Sequence, residues 1–259
     1  MIETISRKAF ISINNVWFIG GEIYDTSAAS GQIQFLHGVK ENNIILGNLV
    51  REREQKTLIT DLLEDELVLW QRISKTYRNE IRRCERENRS VVYLTSEQII
   101  SAPNLIDEFE KTYNNMFASK GMKDRFNRKL FCAYANSNAL VVSVAYKGDE
   151  PVVFHSYIVD EKNARFWYSC SNFREDKTVA EEIGRLNKFL HWKDIQIMKG
   201  MGIESYDWGG IGLSEETKGI AEFKRKFGGI EIVYKNCIYV KNRILHIILN
   251  YYLNRKQRG

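Results

Sequence analysis

Residues Tyr206 to Gly229 read YDWGGIGLSEETKGIAEFKRKFGG, and the fold turns on how this stretch is read. Ile203, Tyr206 and Trp208 alternate as a short apolar strand, and Gly209, Gly210 and Gly212 then relax the backbone. Ile220, Phe223 and Phe227 recur at helical spacing, which predicts an inward stripe, and Gly228 and Gly229 end that helix. Strand, glycine turn and amphipathic helix occur in many α/β proteins. The glycine spacing is neither a Walker sequence nor a G-x-G-x-x-G entering a helix, and Glu215 and Glu216 would repel a phosphate at the helix start. Lys224 stands out because it lies beside the Phe223/Phe227 stripe, where an ammonium can lean over an apolar cleft.

Upstream of this stretch the chain alternates between β-rich and helical segments. Ala9–Ile13 with Val16–Ile23, around Asn14-Asn15, and Gln32–Val39 with Ile44–Val50 predict two hairpins. Thr57–Asp61 reads as a short strand, followed by helices over 64–73 and 74–88 and a strand over 91–94. Helices are expected over 104–119, with Leu105, Phe109, Tyr113 and Phe117 inward, and over 128–135. Three strands, 139–147, 151–159 and 164–170, separated by turn residues, predict an antiparallel meander. A long helix from Val179 to Gly200 should cover it through Ile183, Leu186, Leu190, Ile197 and Met201, and a strand over 230–240 and a helix over 242–252 close the chain.

The 259 residues are 44% hydrophobic and 12% aromatic, enough for a sizeable core. The longest apolar runs are too short to span a bilayer and Met1 to Asn15 lacks the apolar core of a signal peptide, so a cytoplasmic location is expected. Cys84, Cys132, Cys170 and Cys237 are scattered, and His37, His155, His191 and His246 show no ligand spacing, so reduced thiols and no metal are expected. The net charge is +5, and Arg78, Arg82, Arg86 and Arg89 fall on one helical face that either grips phosphate or is a solvated surface paired with Glu80, Glu85 and Glu87. The tail LNRKQRG reads as a frayed end.

The Tyr206–Gly229 stretch resembles the closing motif of the Fem-type peptidoglycan bridge-forming aminoacyltransferases, with an aromatic-Asp-aromatic-Gly-Gly turn followed by Gly-Ile, Phe-Lys and Phe-Gly. TLITDLLEDELVLWQRISKTYRNEIRRCERENRS, from Thr57 to Ser90, is similar to the segment of that group in which a short strand leads to a helix ending in Arg-Asn-x-Ile-Arg-Arg. The resemblance runs from about Thr57 to Asn236. It implies the GNAT acyl-CoA N-acyltransferase fold: an α/β architecture with a mixed, mostly antiparallel, splayed sheet flanked by helices. On that basis residues 1–69 form a β-rich N-terminal part, a reduced first GNAT-like half, and 70–259 the acyltransferase domain. The chain contains no candidate for the helical arm that clasps tRNA in many of these enzymes. Where ordinary GNAT enzymes carry a pyrophosphate loop it reads SNFREDKTVAEEIG.

What the resemblance implies is acyl or aminoacyl transfer to an amine of a cell-envelope precursor or surface-polysaccharide sugar. The donor would be acyl-CoA or aminoacyl-tRNA, with no tightly bound cofactor. Such transfer passes through a tetrahedral oxyanion that needs a positive charge in a dry cleft, and Lys224 of the Phe-Lys pair is the candidate. Asp207 either takes the proton of the amine or holds the Gly209-Gly210 turn, and His155 is either a proton acceptor or a core histidine. Phe223 either walls the acyl pocket or packs in the core; Trp208, Tyr168 and Ser169 are further candidates for substrate contact. Alternation along the strand puts Tyr168 and Cys170 on one face and Ser169 and Ser171 on the other. Arg78 and Arg82 suit the phosphates of a nucleotide-sugar or lipid-linked acceptor, and the same face suits tRNA. Two other readings are an ordinary acyl-CoA-dependent N-acetyltransferase and a non-catalytic module that binds nucleotide-sugar or RNA.

Overall fold

The computed structural model describes the chain apart from residues 9, 22, 173–176, 213–214 and 257–259; residues 8, 177, 215–217, 252 and 254–256 are described by backbone alone. Two compact units form: Met1–Thr57 with Ile232–Gly259, and Leu58–Glu231.

The second unit carries the predicted meander. Leu140–Lys147 (β8), Glu150–Val159 (β9) and Asn163–Ser171 (β10) pair antiparallel in sequence, and Val91–Leu94 (β7) adds antiparallel to β8. Ser205–Gly210 (β11) lies on the other side of β10 and runs parallel to it, and the end of Asn48–Asp61 (β6) follows β11, giving the order β6-β11-β10-β9-β8-β7. A parallel neighbour requires a crossover, and Lys177–Gly200 (α6) supplies it.

Adjacent residues of a strand point to opposite faces. In β9, Phe154 stacks on Phe109 of Pro103–Ser119 (α4), whereas His155 bonds Asp194 of α6. One sheet face therefore receives α4, with Ser96–Ile100 (α3) and Arg128–Asn136 (α5); the other receives α6, against which Lys75–Arg86 (α2) packs through Tyr77, Ile81 and Cys84. The short helix Glu66–Arg72 (α1) precedes α2. Ser74 caps α2, its Oγ accepting from the Tyr77 N–H, and Asp65 caps α1 in the same way.

Helix α6 buries Ile183, Leu186, Phe189, Leu190, Trp192, Ile195 and Met198. This set is wider than the single stripe expected from the sequence, because sheet and α2 enclose the helix from different sides; Met201, expected inward, lies beyond the last turn and is 49% exposed. On α4 the inward residues are Ile106, Phe109, Thr112 and Tyr113, and Phe117 is only half-buried.

Glu215–Arg225 (α7) differs from expectation in its rotation. Ile220 is 55% exposed, and Ala221, Lys224 and Phe227 face inward, with Phe223 half-buried. The helix ends at Arg225, and Gly229, at φ 121°, precedes the strand that starts at Ile230, where a Cβ would come within 2.7 Å of the Ile59 carbonyl oxygen. At Gly228, φ 86°, a Cβ would meet that of Arg72 at 2.7 Å. Both need glycine, for conformation and for space.

In the first unit Ile2–Lys8 (β1) pairs antiparallel with Ile11–Trp17 (β2), β2 runs parallel to Ile33–Val39 (β4), and β4 pairs antiparallel with Ile230–Val240 (β12). Tyr24–Asp25 (β3) and Ile45–Leu46 (β5) form a small parallel pair. Neither expected hairpin forms. Asn14 and Asn15, read as a turn, lie in the middle of β2: Asn14 Nδ2 donates to Glu3 at 2.7 Å and Asn15 pairs with His37. The polar partners on neighbouring strands remove the reason for a turn there. Residues 57–61 are the end of the long strand β6 and not a separate strand. The boundary expected at 69/70 falls inside α1, and β12 with Arg243–Lys256 (α8) groups largely with the first unit.

Candidate functional site

The parallel register of β10 and β11 runs from Asn163/Ser205 to Arg165/Asp207, after which β10 is irregular between Phe166 and Ser169. Charged groups collect where that register ends. Asp207 Oδ2 accepts from Arg165 Nη1 at 2.5 Å, and its Oδ1 accepts from the Gly209 N–H at 2.9 Å. Lys224 reaches the same place from α7 and donates from Nζ to the Gly210 carbonyl oxygen at 2.9 Å. Gly209 has φ 78°, and a Cβ there would lie 3.1 Å from the Phe166 carbonyl oxygen and 3.5 Å from Lys224 Nζ. The positive φ and the close approach to the Phe166 carbonyl favour glycine at this turn.

Arg165 and Lys224 are both buried, at 7% and 8% exposure, beside the carboxylate of Asp207. Burial lowers the Lys224 pKa from 10.5 to about 8, Arg165 pushes it the same way, and Asp207 opposes them. The result is a buried Lys224 that is still an ammonium at neutral pH.

Beneath this end of the sheet lies a buried polar network between β9, β11, β7 and α6. Asp194, fully buried, accepts from Tyr93 at 2.9 Å, from Tyr157 at 2.5 Å and from His155 Nδ1 at 2.7 Å. Tyr157 has one proton, and with that given to Asp194, Tyr206 must donate to the Tyr157 oxygen at 2.8 Å. The Tyr206 oxygen then accepts from His191 Nδ1 at 3.3 Å. The chain of donors fixes His191 as the Nδ1–H tautomer. Burial holds the His191 pKa well below its ordinary value, helped by His155 and Lys224. Burial and the nearby Asp194 charge push Tyr157 and Tyr206 well above theirs. The side chains of His155, His191 and Asp194 bring ligand atoms within 4.8 Å of one another, a cluster that sequence spacing did not reveal. His155 Nδ1 lies 2.7 Å from Asp194, within ordinary hydrogen-bond distance.

The candidates from the sequence fall into three groups. Lys224 and Asp207 come together at the end of β11, with Phe223 near: its ring packs on Tyr77, His191 and Phe227. His155 lies in the buried network, its Nε2 paired with Asn187 at 2.8 Å, and Trp208 is wholly buried with Nε1 donating to Thr60. The other four have partners other than Lys224 among the described residues. Tyr168 packs on Tyr113 and Phe126 on the α4 face, with Cys170 against the Phe109 carbonyl on the same face, as alternation predicted. The irregularity brings Trp167 to that face as well, against Phe131 and Tyr134, while Ser169 is registered opposite His155. Arg78 donates to the Gln71 and Trp70 carbonyl oxygens at 2.9 and 3.4 Å, capping α1, and Arg82 lies over the Trp70 ring. Arg89 is tied to Glu182, so the expected arginine row is divided among separate partners. Part of the segment that stands where ordinary GNAT enzymes carry a pyrophosphate loop, residues 173–176, lies outside the described residues.

Sequence reading missed Arg165, His191, Asp194, Tyr157 and Tyr206 as a connected set. Arg165 gave a faint signal, a cation inside a strongly apolar strand, but its partner Asp207 lies 42 residues away and only the parallel pairing joins them.

None of the curated proteins matches the chain. Among solved structures, the fold is shared with FemX at 12% identity and TM-score 0.56, covering 75% of this chain and 64% of FemX. It is also shared with the C-terminal domain of a putative lysylphosphatidylglycerol synthetase from Agrobacterium fabrum, at 16% identity and TM-score 0.51, covering 83% of this chain and 70% of that one. A conserved protein of unknown function from Bacteroides thetaiotaomicron aligns at 14% identity and TM-score 0.52, covering 80% of this chain and 70% of its own. The chain thus spans somewhat less than two thirds of FemX. The family described as "Acetyltransferase (GNAT) domain" matches residues 71–225, a span that holds the meander, the α6 crossover and the Lys224 corner, and the chain therefore belongs to the GNAT acetyltransferase family and is an acyltransferase.

Proposed function

We propose that this acyltransferase moves an acyl or aminoacyl group directly onto an amine of a cell-envelope precursor or surface-polysaccharide sugar, with Lys224 stabilising the oxyanion. The observation that carries this reading is the buried Lys224 ammonium beside Arg165 at the end of β11. In the reaction the amine nitrogen bonds to the donor carbonyl carbon and the carbonyl oxygen becomes anionic. Collapse then expels the thiolate or alkoxide of the donor, and the amine loses a proton. Lys224 and Arg165 supply positive charge to the oxygen in a site that water hardly enters, where such charge counts most. Asp207, 16% exposed, is the carboxylate that takes the amine proton, and Phe223 walls the site. His155 is assigned a positioning role through Asp194 and Tyr157.

The acceptor class rests on the resemblance to the Fem-type enzymes and on the fold shared with FemX. A second reading, acyl-CoA-dependent N-acetylation of ordinary GNAT type, is favoured by the family match itself, since that family is described as acetyltransferase. Both readings are tested by mass spectrometry of ligand that co-purifies with the protein, followed by transfer assays. Acetyl-CoA and a charged tRNA would each be offered with a panel of amino sugars, nucleotide-linked amino sugars and peptide-bearing precursors. Amide formation on an envelope precursor supports the first reading, and acetylation of small amines alone supports the second. Product formation that requires neither donor would remove both.

A further inference from the structure

Helix α8 carries apolar residues on two opposite sides. Leu245, Leu249 and Leu253 are half-buried, whereas Ile244, Ile247, Ile248 and Tyr251 are 70%, 62%, 59% and 69% exposed. The exposed four stand at i, i+3, i+4 and i+7, a continuous stripe along one side of the helix. A helix that is apolar on both sides is normally covered on both. Charge indicates what covers the bare side. Glu231 is the last acidic residue of the sequence; after it come Lys235, Lys241, Arg243, Arg255, Lys256 and Arg258. Lys241 and Arg243 are exposed at the start of α8, and Arg255 and Lys256 occupy its last turn.

We propose that the Ile244/Ile247/Ile248/Tyr251 face of α8 docks on an anionic lipid bilayer surface, with the helix lying in the plane of the interface. A second copy of the chain fits poorly, since pairing this stripe with itself about a two-fold axis brings like cations together. The bilayer supplies what the face lacks, an apolar layer beneath a negatively charged one. Aliphatic side chains and the tyrosine ring enter the boundary region, and exposed Lys241 and Arg243 reach headgroup phosphates. No helix among the described residues is long and apolar enough to cross a membrane, and α8, at 14 residues, suits the surface. The docking is independent of the acyl-transfer reading and goes beyond it.

The test is co-sedimentation of the full chain with vesicles of phosphatidylcholine alone and of phosphatidylcholine with about a third phosphatidylglycerol, at low and high salt. Binding is expected to the anionic vesicles, falling about tenfold or more in high salt and in the double variant Ile247→Asp/Ile248→Asp. Lys241→Gln/Arg243→Gln should weaken anionic binding while leaving the melting temperature unchanged, as expected for exposed side chains. Absence of binding to both vesicles, or binding that the Asp double variant does not alter, overturns the proposal. So does a concentration-dependent dimer, seen by light scattering, that the same variant abolishes.

Discussion

Replacing Lys224 by Met separates what the ammonium does for the reaction from what it does to the fold. The side chain is 8% exposed, so the methionine stem keeps most of the packing. A pKa lowered from 10.5 to about 8 means that holding the charge in the folded protein costs about 3 kcal/mol below pH 8, at 1.36 kcal/mol per unit. The variant is relieved of that cost but leaves the Gly210 carbonyl without its donor, a loss of about 1–3 kcal/mol. The two effects nearly cancel, and the melting temperature at pH 7 should move by only a few degrees. The rate should not be spared: loss of the charge at the oxyanion should lower kcat by about 10² to 10³, with donor and acceptor affinities little changed.

The pH dependence follows with a definite sign. Between about 8 and 10.5 the unfolded chain keeps a proton on Lys224 that the folded protein has lost, so the stability of the wild type relative to Lys224→Met rises with pH across that window, by up to about 3 kcal/mol. Catalysis runs the other way, because the reactive form is the ammonium, and the wild-type rate should fall above about pH 8. Lys224→Arg, charged throughout, should lose that alkaline limb. Urea unfolding at several pH values reads the first effect, and single-turnover rates with the identified donor read the second. Exposed Lys226, whose ammonium lies over the Tyr77 ring, is the control, and Lys226→Met should behave as wild type. A Lys224→Met enzyme within a few-fold of wild type refutes the oxyanion role. A pH-independent stability difference refutes the charge-burial argument by itself.

Other consequences can be checked separately. Gly209→Ala places a Cβ at φ 78° and 3.1 Å from the Phe166 carbonyl oxygen, and should cost about 1–3 kcal/mol in thermal unfolding together with a loss of rate; an unperturbed melt would mean that the turn tolerates a side chain. His191 should stay neutral as the Nδ1–H tautomer from pH 5 to 8 in nitrogen-15 NMR, and a titration near 6.5 would contradict the donor order through Tyr206 and Tyr157. Arg78→Gln should lower the melting temperature by uncapping α1, whereas Arg82→Gln should leave it nearly unchanged. If instead both leave the melt alone and weaken acceptor binding, the pair holds phosphate as the sequence suggested.

The GNAT meander, the α6 crossover and the strand-turn-helix from Ser205 to Arg225 were legible in the sequence, because each rests on local periodicity punctuated by glycine or polar turns. Lys224 was legible for the same reason, as a cation within two residues of an apolar stripe and inside a recognisable Phe-Lys pair. Its burial was not. Spacing fixes only which residues share a helical face, and the choice of Lys224 over Ile220 for the inner side comes from how α7 meets the end of β11. The N-terminal unit went wrong for a related reason. Asn14 and Asn15 carry a turn signal locally, and only the strands that bring Glu3 and His37 alongside make a buried Asn pair affordable in β2. Arg165 with Asp207, and Asp194 with His155, Tyr157 and Tyr93, are joined across 37 to 101 residues of chain. The sequence determined the meander, the α6 crossover and the strand and helix on either side of the Gly209 turn, each through local periodicity. The tertiary structure alone decided which charges meet, because a hydrogen bond depends on distance in space, and no residue type records the position of a partner on another strand.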